Sequence, residues 1–531
     1  MASEATSGKA RREWIWYPLL FAAFPVLTLF NGNLTEVAPG EVIRPLLVML
    51  IAAAALWGLL ALLLRNARKA ALCCTFTLLL FFLYGIIRGL LLGSASPAMA
   101  DFGREHAFLL RPWLVVLLLG FVLILRTRRD LRAWTGPLNA AGAFLVLWPL
   151  FGIGRTLVPR LFQPAPAPPV PAAAAPATAG KGTIPAEELP NIYYIILDGY
   201  AREDTLKRVF NYNNRPFLSR LERQGFYVAA ESRANYSTTH MALPSALNMA
   251  YLDTLISPQK TESKKFEQLL AVFNDNAVTR ELRGQGYRIV ALTSETNLTL
   301  RSADRVIPFP KAETAGATDF ELMLLSLTPL EPLSGLKQDK ETNPYELHRR
   351  RIVFQLEQLP RAAGGSGPTF VFAHILCPHA PFVLQHKIGE YPRRTYDIRD
   401  GSYFITNGGT REEYLAEYPA QVECLNAMLA KTVDRLLKKS RRPTVIILQG
   451  DHGSGAYTDW EQPARTDFEE RLSILCAIHT PGGPLPGLYP GITPVNIFRT
   501  LFNHYLKTDY PLLPDKSYFT FPGKPVELHD P

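Results

Sequence analysis

Polar and apolar positions along this chain fall into two regimes. Up to about residue 160, long apolar runs are broken by short charged stretches: Trp14 to Phe30, Pro45 to Leu64, Ala71 to Ile87, Trp113 to Leu125 and Leu138 to Ile153. Several approach the ~20 residues a helix needs to cross a bilayer, so the pattern predicts five transmembrane helices. The run around Trp113 reaches that length only if Phe108 to Arg111 joins it, with Arg111 reaching back to the interface; otherwise the count is four.

Beyond residue 190 the apolar runs shorten and change period. "IYYIIL" (192–197), "YRIVAL" (287–292), "TFVFAHIL" (369–376), "TVIILQ" (444–449) and "LSILCAI" (472–478) read as buried strands. Between them, "PFLSRLERQG" (216–225), "FEQLLAVFNDNAVTRELRGQG" (266–286) and "EEYLAEYPAQVECLNAMLAKTVDRLLKK" (412–439) repeat apolar residues every three or four positions, as helices do, with Gly225 and Gly286 placed as C-terminal stops. Strands alternating with helices predict an α/β domain with a doubly wound, mostly parallel sheet covered on both faces. The two regimes are separated by "FQPAPAPPVPAAAAPATAGKGTIP" (162–185), a Pro/Ala tract that sustains neither a helical ladder nor a core and reads as an extended spacer. The organisation expected is therefore a transmembrane helical domain over 1–160, a linker over 161–190 and an α/β domain over 191–531.

Charge sharpens this picture. The 56 Lys and Arg exceed the 47 Asp and Glu by nine, and residues 1–160 hold 16 of the former against 7 of the latter, so the remaining 40 and 40 cancel. A balanced second half gives no footprint for nucleic acid. The basic excess clusters instead at Lys9, Arg11 and Arg12, at Arg65, Arg68 and Lys69, and at Arg126, Arg128, Arg129 and Arg132, which are alternate loops on one side of a membrane. The positive-inside rule makes that side cytoplasmic and places the domain after the fifth helix outside. Five cysteines, two of them in the third apolar run, require no disulfide.

Candidate chemistry lies where the strands stop. Asp198 ends the run "IILDGY", and Asp451 with His452 ends "IILQGDHG". In open parallel sheets, ligands bind beyond the carboxyl ends of strands. Carboxylates gathered there repel one another unless a cation lies between them, and an adjacent imidazole completes a mixed oxygen and nitrogen set for a divalent metal. "ANYSTTHMALPSALN" (234–248) adds three hydroxyls, Ser237, Thr238 and Thr239, ahead of a helical pattern. There, unpaired N–H groups hold an anion while a metal activates a hydroxyl nucleophile; the plainer alternative is a helix cap. "AHILCPHAPFV" (373–383) supplies His374 and His379 at a further strand end as candidate substrate-binding residues, His374 being equally readable as a packed core histidine. His379 is placed to donate to a phosphoryl oxygen or to a leaving group.

Taken in order, a strand-end Asp, a hydroxyl before a helix, His-x-Pro-Phe and Gly-Asp-His-Gly resemble the alkaline phosphatase superfamily. The likeness is to its sulfatase-like branch, with lipoteichoic acid synthases and membrane phosphoglycerol or phosphoethanolamine transferases, and covers about Asn191 to Tyr510. It implies Asp198, Thr239, Asp451 and His452 as ligands of one divalent metal, manganese first with zinc or magnesium as alternatives. It also implies Thr239 as covalent nucleophile, from the Tyr-Ser-x-Thr pattern that Tyr236 to Thr239 match, and His379 as a substrate-binding residue. Sulfatases proper carry Cys-x-Pro-Ser-Arg, where this chain has "ALPSA" without Cys or Arg. The function implied is transfer of a phospho-headgroup from a membrane lipid donor to a glycan or lipid acceptor of a bacterial envelope, by a multi-pass protein of the inner membrane with a periplasmic catalytic domain. The alternatives are a sulfatase or phosphodiesterase, and a catalytically inactive envelope scaffold.

Overall fold

The computed structural model describes residues 14–34, 37, 39–92, 106–162, 184–257, 261–296, 298–310, 318–330, 343–365, 367–387, 390, 396, 398–406, 408–519 and 527–529. Two compact units make up the chain: Met1–Pro166 with Glu313–Asp339, and Ala167–Ala312 with Lys340–Pro531.

Among the described residues up to 162, the first unit contains the apolar helices α1 (Tyr17–Gly32), α2 (Pro39–Leu64), α3 (Ala67–Leu92), α4 (His106–Arg126) and α5 (Arg132–Phe162). Helices α2 to α5 are long and apolar enough to cross a membrane, whereas α1 has 16 residues. At 1.5 Å per residue, α1 reaches about 24 Å, short of a hydrocarbon core of about 30 Å. The short run is thus α1, while α4 starts at His106 and gains the length that the apolar run around Trp113 lacks. Phe21, Ala22, Val26 and Phe30 of α1 are buried, whereas Ile51 and Leu62 of α2, Leu123 of α4 and Phe151 of α5 are exposed. Exposed apolar residues on helix after helix form the surface that a lipid environment covers.

The second unit is built on a seven-stranded sheet. Its strands are β1 (Asn191–Leu197), β2 (Phe226–Val228), β3 (Arg288–Leu292), β4 (Arg305–Ile307), β5 (Thr369–Ile375), β6 (Thr444–Gly450) and β7 (Cys476–His479), in the order β2-β7-β6-β1-β5-β3-β4. From β6 to β4 all pairings are parallel; β7 runs antiparallel to β6, and β2 to β7. Successive residues of β1 face opposite cores. Tyr193, Ile195 and Leu197 pack with Leu356 of α7 (Pro344–Ala362) and Leu425 of α8 (Arg411–Lys439). On the other face Ile192, Tyr194 and Ile196 pack with Leu243 of α6 (Thr239–Asn248) and Phe498 of α9 (Pro494–Tyr505). Covered faces explain why these strands read as unbroken apolar runs.

Two local patterns resolve differently from their sequence reading. The run over 266–286 is two helices, Glu262–Asn274 and Ala277–Gly284, because Asn276 accepts the Thr279 N–H and starts a new helix. Of "LSILCAI", Leu472 closes the short helix Phe468–Leu472 and the strand begins at Cys476. Gly225 and Gly286, at φ 89° and 78°, take the left-handed geometry of helix stops.

Candidate active site

Register places the site. Leu197 of β1 pairs with Gly450 of β6, and Ile196 pairs with His374 of β5. One residue further along each strand, Asp198 and Asp451 leave the sheet side by side. Gly199 then turns at φ 72° and gives its N–H to Asp451 Oδ1 at 3.0 Å. The glycines around Asp451 and His452 are set by crowding: a Cβ on Gly450 would lie 2.6 Å from the Tyr200 carbonyl oxygen, and one on Gly453 2.0 Å from that of Glu470.

Asp198, Asp451 and His452 are buried, and one ligand atom of each lies within 4.8 Å of the others. His452 Nδ1–H donates to the Gly453 carbonyl at 2.8 Å, which leaves Nε2 as the lone-pair nitrogen. That nitrogen stands 3.5 Å from Asp198 Oδ1 and 3.6 Å from Asp451 Oδ2. Both of these carboxylate oxygens are buried without a hydrogen-bond partner. Two orphaned anionic oxygens facing a lone-pair nitrogen are costly in isolation and fit the donor set of a divalent cation. Burial alone would raise the Asp198 pKa, but the imidazoles around it, His379 first and then His374 and His452, hold it below the ordinary carboxylate range.

The three hydroxyls before α6 have distinct surroundings. Ser237 is fully buried, and its backbone carbonyl accepts from Arg471 Nε at 2.8 Å. Thr238 is the N-cap residue, in extended conformation. Thr239 is the first residue of the helix, and its Oγ1 lies 3.2 Å from His452 Nε2. Thr239 is therefore the hydroxyl that meets His452, at a helix end whose first N–H groups have no intrahelical acceptor.

His379 is 5% exposed, and its N–H donates to the Asp198 carbonyl at 2.9 Å, tying the segment after β5 to the end of β1. Its Nδ1 is engaged by the Ala380 carbonyl, which leaves Nε2 for other partners. His374 is fully buried within β5. Its Nε2–H donates to Asp198 Oδ2 at 3.0 Å, and its Nδ1 accepts from the Ser294 hydroxyl at 2.8 Å. Such an imidazole orients a carboxylate from behind.

Several residues around the site carried no signal in the sequence. Ser294 follows β3, and Gln355 of α7 donates to the His374 carbonyl at 2.9 Å. Arg471, whose side chain is 1% exposed, pairs with Asp400 and lies over the Trp460 ring at 5.3 Å. Burial opposes ionisation of Asp400, yet the Arg471 guanidinium, followed by His452 and His379, keeps its pKa below the usual range. His240, one residue after Thr239, has its pKa lowered by burial and then by the nearby His374. Arg233, Asn235 and Tyr236 serve packing: Arg233 pairs with Glu469, Asn235 accepts from the Val495 N–H at 3.0 Å, and the Tyr236 hydroxyl accepts from the Leu252 N–H at 2.8 Å.

The mixed, mostly parallel sheet thus carries an acidic pair and an imidazole beside a hydroxyl at a helix N-terminus. The family model described as Sulfatase matches residues 190–505, more than half of the chain, and the chain belongs to that family. It is similar in structure to the C-terminal periplasmic domain of EcEptC from Escherichia coli in complex with Zn, at 14% identity over 65% of this chain and 94% of that one, with a TM-score of 0.39. It is also similar to the integral membrane lipooligosaccharide phosphoethanolamine transferase A (EptA) from Neisseria meningitidis, at 11% identity over 88% of each chain and a TM-score of 0.34. The lipoteichoic acid synthase LtaP from Listeria monocytogenes is 12% identical over 63% of this chain and 78% of that one, with a TM-score of 0.36. No curated protein sequence matches the chain.

Proposed function

We propose that this protein transfers a phospho-headgroup, phosphoglycerol or phosphoethanolamine, from a membrane phospholipid to an envelope acceptor through a covalent intermediate on Thr239. The observation that carries the reading is the Thr239 hydroxyl, 3.2 Å from His452 Nε2 and beside the orphaned oxygens of Asp198 and Asp451. Asp198, Asp451, His452 and Thr239 would hold one divalent ion, manganese by preference for an oxygen-rich set with one imidazole, with zinc or magnesium as alternatives. Bound there, the ion would supply Lewis-acid chemistry, lowering the hydroxyl's pKa and neutralising charge on the phosphoryl group.

The chain's own residues account for the remainder. Thr239 releases its proton to solvent as its Oγ1 bonds to phosphorus, and the bond from phosphorus to the diacylglycerol oxygen breaks. A proton carried on His379 Nε2 passes to that oxygen, so diacylglycerol leaves neutral. An acceptor hydroxyl then attacks the phosphothreonine and gives its proton back to His379 Nε2, while the bond from phosphorus to Thr239 Oγ1 breaks and that oxygen takes a proton from solvent. His374 keeps Asp198 oriented throughout, through Nε2 at 3.0 Å.

Two features favour this reading over its rivals. In the "ALPSA" stretch Ala242 stands where the sulfatase motif has its Cys and offers no nucleophile, and the nearby Ser245 is buried and donates to the Ala250 carbonyl at 2.7 Å. Unpartnered carboxylate oxygens in a buried cluster serve no purpose in an inactive scaffold, where their desolvation would go uncompensated. The membrane helices add a rationale, because a lipid donor close to the site raises its effective concentration. The test is incubation of purified protein with headgroup-labelled phosphatidylglycerol or phosphatidylethanolamine. Label is expected on the peptide from Arg233 to Leu247 and then on an acceptor. Label on no peptide, or cleavage of sulfate esters alone, overturns the transferase reading.

A further inference from the structure

The helix Asp319–Ser326 lies in sequence between β4 and α7, both elements of the catalytic unit. Yet Glu313–Asp339 belongs to the compact unit of α1 to α5. Its contacts there form a built socket. Phe320, fully buried, and Leu324 pack against Val26 and Phe30 of α1, Val42 of α2 and Phe82 of α3. The rings of Phe30 and Phe320 meet edge to face, with centroids 6.4 Å apart. Arg44 of α2 donates through Nε to Glu321 Oε1 at 2.6 Å, and its Nη2 engages the second oxygen. The same Glu321 closes a capping box with Thr318, so one carboxylate starts the helix and grips the bundle. Beyond the helix, the Leu327 carbonyl accepts the Gly85 N–H of α3 at 3.1 Å. A Cβ at Gly85 would lie 2.4 Å from Leu327 Cα, so this close approach of backbones needs glycine.

The socket is at one end of the bundle. Phe30 and Gly85 lie in the last turns of α1 and α3 and Val42 in the first turns of α2, the end opposite the basic stretches at Arg65 to Lys69 and Arg126 to Arg132. By the positive-inside rule this is the extracytoplasmic end. An eight-residue helix is too short to hold its shape alone in water, and packing stabilises it here.

We propose that Asp319–Ser326 is a second anchor: it packs with α1, α2 and α3 as part of the first unit, and because the chain reaches it from β4 and leaves it toward α7, it ties the α/β unit to the membrane independently of the Pro/Ala tract. A long Pro/Ala tract sets a spacing and little else, whereas a second attachment raises the effective concentration of one unit at the other. The inference rests on packing and chain order, and it stands whether or not the proposed transfer reaction is correct.

The experiment uses the full chain in membranes, with a site for a sequence-specific protease inserted within residues 163–183. After complete cleavage and a high-salt wash, the fragment carrying residues 184–531 is expected in the membrane pellet, in roughly tenfold excess over the supernatant. In the double variant Phe320→Asp/Leu324→Asp, the same fragment is expected in the supernatant, with its thermal melting unchanged because neither residue belongs to the catalytic unit. If the double variant does not accumulate, Gly85→Val opens the contact from the α3 side and carries the same expectation. A wild-type fragment released by cleavage alone overturns the proposal. So does a fragment of either variant retained as fully as wild type, which would assign retention to a different surface.

Discussion

At Thr239 a single oxygen decides the chemistry. Removing it in Thr239→Ala is expected to abolish headgroup labelling of the protein and turnover together, by at least about a thousandfold, since loss of a nucleophile is not a partial defect. Thr239→Ser keeps a hydroxyl on the same carbon and is expected to retain measurable turnover. Label that persists in Thr239→Ala and disappears in Ser237→Ala or Thr238→Ala would move the role to a neighbour. Asp451→Ala is expected to take bound metal, measured by elemental analysis of purified protein, from one ion per chain to none; full metal content would remove Asp451 from the ligand set. Asp198, Asp451 and His452 were legible as candidates because each follows an abrupt end of an apolar run, where a polar side chain has no packing reason to be, whereas Thr239 was singled out among three hydroxyls by the family resemblance. Ser294, Asp400 and Arg471 were not, because they join the site through contacts between segments distant in sequence, such as the 2.8 Å bond from Ser294 to His374.

Turns and short elements hold these side chains in place, and they are where indirect effects should appear. Gly453→Ala sets a Cβ 2.0 Å from the Glu470 carbonyl oxygen, which as backbone cannot swing aside. We expect a stability loss of about 1–3 kcal/mol, with metal content and labelling falling because His452 precedes the displaced residue. Unchanged metal content would show that the turn tolerates the shift. The Asp400–Arg471 pair joins the segment before α8 to the short helix Phe468–Leu472, with side chains 15% and 1% exposed. Asp400 is ionised in the fold and its pKa lies below the unfolded value of about 3.9, so its contribution is present above that pH and fades as pH falls toward the folded value. Asp400→Asn leaves the Arg471 guanidinium without its carboxylate and is expected to cost about 3–5 kcal/mol near neutrality. The deficit should shrink as the melting transition is measured at progressively lower pH below about 4; a pH-independent deficit would assign it to packing instead of charge.

For the molecule as a whole, the placement of basic residues in alternate loops leads us to expect the C-terminus outside the cytoplasm. A reporter active only in the cytoplasm, fused after Pro531, is expected to be silent, and one active only outside is expected to report; the reverse pattern would invert the topology. Periodicity determined the class of the molecule by itself, apolar helices and a mostly parallel α/β sheet, while the expected Pro/Ala spacer lies outside the described residues over 163–183. Each of these is a local consequence of burial, read along a few turns of chain or one strand. Tertiary structure decided how near Thr239, the hydroxyl the resemblance implied, comes to His452, with its Oγ1 3.2 Å from Nε2. It also decided that His374 supports Asp198 from behind within β5, and that Asp319–Ser326 belongs with α1 to α3. An eight-residue stretch of moderate hydropathy carries no mark of the unit it packs in, because the partner surface that buries Phe320, from Val26 to Phe82, lies more than two hundred residues earlier in the chain.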